Sequence, residues 1–133
     1  MRLVTAAIIR KQGSVLVARR APSEKLAGFW EFPGGKVDGD ETLANCLVRE
    51  IREELGINVR PGRTLFESDY SYDHGSFRIV AIEAIADSHD FQLKVHDRVA
   101  WMSPEQLVEL QLLPADKPII EVLRGAIQNE EIQ

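Results

Sequence analysis

Residues 35–57 read GKVDGDETLANCLVREIREELGI, and the spacing inside this stretch predicts the element around which the chain is arranged. Leu43, Leu47, Ile51 and Leu55 recur at four-residue intervals. On a helix they form one apolar stripe that needs a partner surface. A helix is therefore expected from about Glu41 to Leu55. Asp40 is the expected N-cap, Glu41 suits the positive end of the helix dipole, and Gly56 is a natural stop. Glu50, Glu53 and Glu54 stand at i, i+3 and i+4, which puts all three on one face. Like charges so spaced repel by roughly 0.2–0.5 kcal/mol per pair. A run of glutamates interleaved with Arg49 and Arg52 is often only a solvated face. The alternative is a cation-binding face, for which hard carboxylate oxygens suit Mg²⁺ or Mn²⁺.

Outward from the helix, the pattern turns to strands. Leu3 to Ile9 and Val15 to Ala18 are apolar runs flanking the polar turn Lys11-Gln12-Gly13-Ser14, which reads as a hairpin ended by Arg19 and Arg20. Ala21 to Ala27 is expected as a loop, Gly28 to Phe32 as a short aromatic segment, and Pro33-Gly34-Gly35 as a turn. Beyond the helix, Val59 to Tyr72 and Phe77 to Ala86 are expected as strands around the turn Asp73-His74-Gly75, and Val99 to Met102 as a short strand. Ser103 caps a helix with Pro104 at its first position. Pro118 opens a last helix towards Gln128, followed by a polar, frayed tail from Asn129 to Gln133. Cys46 beside the stripe, Trp30 and Trp101 read as core residues.

Bulk properties narrow the function. A length of 133 residues suits one domain spanning 1–133. Hydrophobic residues at 44% and charged residues at 28% describe an ordinary soluble core. A net charge of −5 argues against stable nucleic-acid binding, though not against a small nucleotide drawn in by a metal and local cations. The single cysteine forbids an intramolecular disulfide and suits a reducing compartment. Met1 to Arg10 lacks a signal-peptide pattern, and no apolar run approaches the ~18 residues of a membrane span. The expected setting is cytoplasmic, with no membrane partner and the oligomeric state open.

The segment as a whole carries a resemblance. A glycine, a glutamate, then Arg-Glu, an aliphatic residue, Glu-Glu, a glycine and an aliphatic residue fall at Gly35, Glu41, Arg49, Glu50, Ile51, Glu53, Glu54, Gly56 and Ile57. This spacing resembles the Nudix box at every defined position. The resemblance implies an α+β fold with a mixed β-sheet sandwiched between helices, and hydrolysis of a nucleoside diphosphate linked to another group. It implies that Glu50, Glu53, Glu54 and the Gly35 carbonyl hold Mg²⁺ (or Mn²⁺), that Arg49 orients the glutamates through charge-assisted hydrogen bonds, that Glu41 braces the box, and that Lys36 reaches a phosphate. Catalysis of this kind asks for positioning and charge stabilisation, so no nucleophilic side chain is required.

Residues 28–38, GFWEFPGGKVD, together with Arg19-Arg20, Ala100 to Pro104 and Leu113 to Pro118, resemble the MutT-like branch. Its members cleave nucleoside triphosphates, including oxidised purine forms such as 8-oxo-dGTP and cytidine triphosphates, to monophosphate and pyrophosphate, a nucleotide-pool house-cleaning activity. By position Asp116 would contact the base edge or cap a helix, Phe32 would pack on the base or in the core, and Arg20 would reach phosphate or sugar or lie on the surface. An ionised aspartate only accepts hydrogen bonds, which suits an exocyclic amine. Many relatives place a glutamate six residues before the tryptophan of the Trp101 segment; here that position is Val95. Either Asp97 replaces it after a local shift, or a box glutamate takes the base role, or the activity is low, with His96 and Asp97 otherwise read as exposed loop residues. Two alternatives stay beside the triphosphate reading: hydrolysis of ADP-ribose or a dinucleoside polyphosphate, and a non-catalytic nucleotide-sensing domain.

Overall fold

The runs LVTAAII and SVLVA are apolar at nearly every position because both of their faces are covered. In the computed structural model, which describes residues 1–132, with side chains described through Ile127, they form β1 (Arg2–Lys11) and β2 (Ser14–Arg20). Their side chains alternate between two cores. Ala6, Ile8, Val15 and Val17 face one cluster with Leu107, Ile119 and Leu123, while Ala7, Ile9 and Leu16 face the other with Leu47, Ile51 and Leu55. The sheet is thus sandwiched between helices, as expected of an α+β fold. One layer is α1 (Leu43–Leu55); the other is α2 (Pro104–Val108) with α3 (Lys117–Ile132).

The strands are completed by β3 (Trp30–Glu31), β4 (Val59–Tyr72), β5 (Gly75–Ala86) and β6 (His96–Met102). Their order is β3-β2-β1-β5-β4, with β6 also paired to β2. The β1–β5 pair is parallel, from Arg2↔Phe77 to Ile9↔Ala84, and the other pairs are antiparallel. Strand β6 starts three residues earlier than Val99, because Arg20 of β2 pairs with His96. Local sequence does not encode that pairing. Among the described residues no helix is long and apolar enough to cross a membrane.

Helix α1 begins later than its sequence suggested. Asp40 and Glu41 belong to a turn in which Gly39 adopts φ 52°, and the N-cap is Thr42, whose hydroxyl accepts the Asn45 N–H at 3.1 Å. The helix ends as expected at Gly56, left-handed at φ 69° with its N–H on the Arg52 carbonyl. Leu47, Ile51 and Leu55 are fully buried, each contributing about 1.5–3 kcal/mol of apolar burial. Leu43 is only partly covered. Ser103 and Gln106 form a capping box at α2 with Pro104 in the first turn. Helix α3 continues to Ile132, past Gln128 and through most of the segment expected to fray; Gln133 lies outside the described residues.

Candidate active site

Because α1 packs its stripe against the sheet, its glutamate face is graded from wet to dry. The Glu53 side chain is 59% exposed, whereas those of Glu50 and Glu54 are 16% and 14% exposed. Arg49 spans this face. Its Nε and Nη2 donate to the two carboxylate oxygens of Glu41 at 2.7 and 3.0 Å, and its Nη1 donates to Glu50 at 3.0 Å and to Glu53 at 3.3 Å. Nη2 also reaches the Lys36 carbonyl at 3.1 Å. One guanidinium therefore ties the loop before α1 to two of the three glutamates, which the fork geometry of arginine permits and a single ammonium would not. Glu41 also accepts the Asp38 N–H at 3.1 Å. Its pKa falls to about 2, chiefly through Arg49.

Gly35 sits against Glu50 so closely that a Cβ there would strike the carboxylate. Its carbonyl, expected as a ligand, is engaged along β1. It accepts the Thr5 N–H at 2.7 Å and the Thr5 hydroxyl at 3.1 Å, with the Cys46 thiol at 3.6 Å. This is the edge contact by which residues 33–37 run along β1, so the geometry assigns Gly35 a steric role beside Glu50. Gly34 is held equally close, its missing Cβ leaving room for the Thr5 carbonyl. Cys46 is buried, as expected, and burial pushes its thiol pKa up.

Behind Glu54 lies a group that local sequence pattern did not reveal. The registers Ala18↔Glu31 and Arg20↔His96 bring β3 and β6 together across β2. Glu31 Oε2 receives Arg20 Nη1 at 2.9 Å and lies 2.8 Å from His96 Nε2, which is itself 3.7 Å from Glu54 Oε2. The His96 side chain is wholly buried, which overturns its reading as an exposed loop residue. Burial and the neighbouring Glu31 and Glu50 push Glu54 up to about 9, and burial raises Glu50 against the opposing pull of Arg49.

A cavity of about 530 Å³ opens beside these carboxylates, lined by Arg20, Phe32, Lys36, Tyr72, Phe77 and Asp116 among others. Arg20 is no free surface residue, being tied to Glu31. Phe32 belongs both to the core and to the cavity wall. Asp116 is buried, and its Oδ2 accepts the Phe32 N–H at 3.0 Å. Among the described residues this bond, not a cap on α3, is what its carboxylate makes. Burial lifts its pKa to about 7 against the opposing Phe32 N–H. Arg20, Phe32, Lys36 and Asp116 thus share one cavity with Glu31 and Gly35, and through these two it borders Glu54 and Glu50 of α1, whereas Arg49 and Glu53 do not line it.

Residues 1–123 match the NUDIX domain. The chain belongs to the Nudix family. It is 41% identical over 124 residues to the CTP pyrophosphohydrolase of Escherichia coli K12, covering 89% of this chain and 87% of that protein. It is 33% identical over 119 residues to a protein named putative 8-oxo-dGTP diphosphatase 2 from Mycobacterium tuberculosis H37Rv, covering 86% and 82%. Among solved structures it superposes on the E. coli ORF135 protein with a TM-score of 0.82, at 35% identity over 94% of this chain and 89% of the other. On the MutT protein of Methanosarcina mazei Go1 the TM-score is 0.80, at 26% identity over 99% and 96%. As a Nudix hydrolase the chain acts on phosphoanhydride bonds.

Within this Nudix chain Val95 carries no polar side chain to the site; its carbonyl accepts the Ala21 N–H at 3.0 Å. Nor does Asp97 move in to replace it. Both its oxygens are held by Arg19, at 2.8 and 3.1 Å. The carboxylate nearest to Glu54 from outside the box is Glu31. The signal was present in the segment WEFPGGK: in β3, Trp30 and Glu31 point to opposite faces, so if one fills a core the other faces the opposite side of the sheet.

Proposed function

We propose that this Nudix hydrolase is a MutT-like nucleoside triphosphate pyrophosphohydrolase, which releases nucleoside monophosphate and pyrophosphate with the help of Mg²⁺ or Mn²⁺. The observation that carries the reading is a cavity of about 530 Å³, lined by Arg20, Lys36, Phe32 and Asp116, that borders the box helix through Glu31 and Gly35, which lie against Glu54 and Glu50. On this reading Lys36 and Arg20 would meet the phosphates and Phe32 and Asp116 the base, all four lining that cavity. A small nucleotide also suits the net charge of −5 better than a nucleic-acid polymer does. The relatives named for CTP and for 8-oxo-dGTP support a triphosphate substrate.

The donor set fits a hard divalent cation. Glu54 Oε2 is buried without a hydrogen-bond partner, an arrangement costly for a carboxylate unless a cation or proton neutralises it. Glu50, Glu53 and Glu54 would hold the ion. The chemistry it supplies when bound is neutralisation of phosphate oxygens and a more acidic attacking water. The chain's own work is positional. Arg49 keeps Glu50 and Glu53 aimed from one side, Glu41 keeps Arg49 in place, and Gly35 leaves Glu50 the space it occupies. Asp116 offers its remaining oxygen to an exocyclic amine of the base, and its Oδ2 fixes the backbone of Phe32 just beyond β3.

The test is chromatographic analysis of the products formed in Mg²⁺ from CTP, dCTP, ATP, GTP and 8-oxo-dGTP, with ADP-ribose and a dinucleoside tetraphosphate in the same panel, pyrophosphate being quantified for the triphosphates. The expected result is turnover of at least one triphosphate. Turnover of ADP-ribose or the dinucleotide alone, or of nothing, refutes the proposal.

A further inference from the structure

The Glu31–Glu54–His96 group is not accounted for by the box. Two carboxylates and an imidazole present ligand atoms all within 4.8 Å of one another. Ligands on opposite sides of a Mg²⁺-sized ion, each at about 2.1 Å, stand about 4.2 Å apart, so an adjustment of a few tenths of an ångström closes the three onto one ion. The group is well buried: the side chains are 0% exposed for His96, 14% for Glu54 and 15% for Glu31. It is also incompletely satisfied. Arg20 and His96 Nε2 reach Glu31, but Glu54 Oε2 has no hydrogen-bond partner. Buried polar atoms are nearly always partnered, so an orphaned carboxylate oxygen facing a ring nitrogen asks for an explanation.

The scaffold holds the group rigidly. Glu31 and His96 lie on strands paired through β2, and Glu54 lies in the last turn of α1, whose Ile51 and Leu55 are fully buried on either side of it. Three side chains from three elements therefore meet at fixed positions.

We propose that Glu31, Glu54 and His96 form a second, inner divalent-cation site, distinct from the outer one at Glu50 and Glu53 and selective for Mn²⁺ over Mg²⁺. The selectivity follows from the imidazole. Mg²⁺ prefers an all-oxygen shell, whereas later divalent ions accept a nitrogen ligand readily. The inference deepens the proposed metal-dependent reading of the cleft: Glu54 is shared between the two positions, and Glu31 supplies a carboxylate from outside the box, as Val95 does not.

The experiment is a Mn²⁺ titration of the full chain, without nucleotide, followed by EPR. The wild type is compared with Glu31→Gln, His96→Ala and Glu53→Gln. In the wild type, pulsed EPR is expected to show nitrogen modulation on bound Mn²⁺, and added Mg²⁺ is expected to displace the outer ion first. Glu31→Gln and His96→Ala should each bind one fewer Mn²⁺ per chain, and His96→Ala should lose the nitrogen signal. Glu53→Gln should keep it. Glu31→Gln preserves volume, so a result from it stands even where His96→Ala fails to fold, and far-UV circular dichroism checks both. Equal Mn²⁺ stoichiometry in wild type and Glu31→Gln, or no nitrogen modulation in the wild type, overturns the proposal. Triphosphate turnover without a nitrogen-coupled Mn²⁺ leaves the proposed function standing and removes this site. The reverse pattern keeps the site and removes the function.

Discussion

Asp116→Asn isolates the buried carboxylate at the base end of the cavity. Burial raises its pKa from 3.8 to about 7. For an acid shifted upward, the folded state binds the proton more tightly than the unfolded state. Stability is therefore lost as pH rises from the unfolded value towards the folded one, and is level above it. Each pH unit inside that window is worth about 1.36 kcal/mol. Between pH 5 and pH 7 the wild type should thus lose up to about 2.7 kcal/mol through this group alone. The amide cannot ionise, yet its oxygen still accepts the Phe32 N–H that Asp116 Oδ2 holds at 3.0 Å. Relative to the wild type, Asp116→Asn should gain stability across that window by the same amount. The assay is urea unfolding of both proteins at pH 5, 6 and 7 without nucleotide or metal, with equal m-values as the check on two-state behaviour. Glu54, shifted in the same direction, is present in both proteins and largely cancels in the difference. Parallel stability–pH curves would refute the claim that Asp116 is a desolvated carboxylate.

Other expectations bear on the cage and the core. Glu53→Gln should cut triphosphate turnover about a hundredfold or more, equivalent to ~2.7 kcal/mol, while the melting temperature hardly moves because Glu53 is the most exposed of the three glutamates; unchanged turnover would remove it from the cage. Arg49→Lys should lower turnover by about tenfold or more in steady-state assays, since one ammonium cannot make both Glu41 contacts and also reach Glu50 and Glu53. Ile51→Ala should cost about 2–5 kcal/mol in urea unfolding, the range for truncating a fully buried aliphatic side chain.

What could be read from the chain beforehand was whatever has a local period. The apolar stripe of α1, its stop at Gly56, the capped start of α2 and the two-sided strands β1 and β2 all follow from spacing and from single-residue conformational preference. Where the reading failed, a contact from elsewhere in the chain decided the outcome. Asp40 lost the cap to Thr42 because the Asp38–Glu41 turn, pinned by Arg49 on Glu41, carries the chain into the helix two residues later. His96 meets Glu31 across 65 residues because both flank β2, and no window around either residue contains that information. The spacing within α1 therefore tells which side chains share a helix face, but not which residues of β3 and β6 meet that face.

The charge arrangement of the cleft links substrate to cation. Glu31, Glu50, Glu53 and Glu54 lie together beside it, and among the described residues the arginines paired with them are Arg20 and Arg49, with His96 a further partner of Glu31 and Glu54. With every group ionised, four negative charges against two positive leave a surplus of two. Burial already resists this, as the rise of Glu54 to about 9 records. A triphosphate brings several more negative charges to the same place, and Lys36, exposed at the rim, cannot balance them alone. Nucleotide and divalent cation must then favour each other's binding, and by linkage each must raise the other's affinity by the same factor. The buried glutamates thus do two things with one arrangement. They repel a bare polyphosphate, and they make the cation-loaded cleft the form that accepts it.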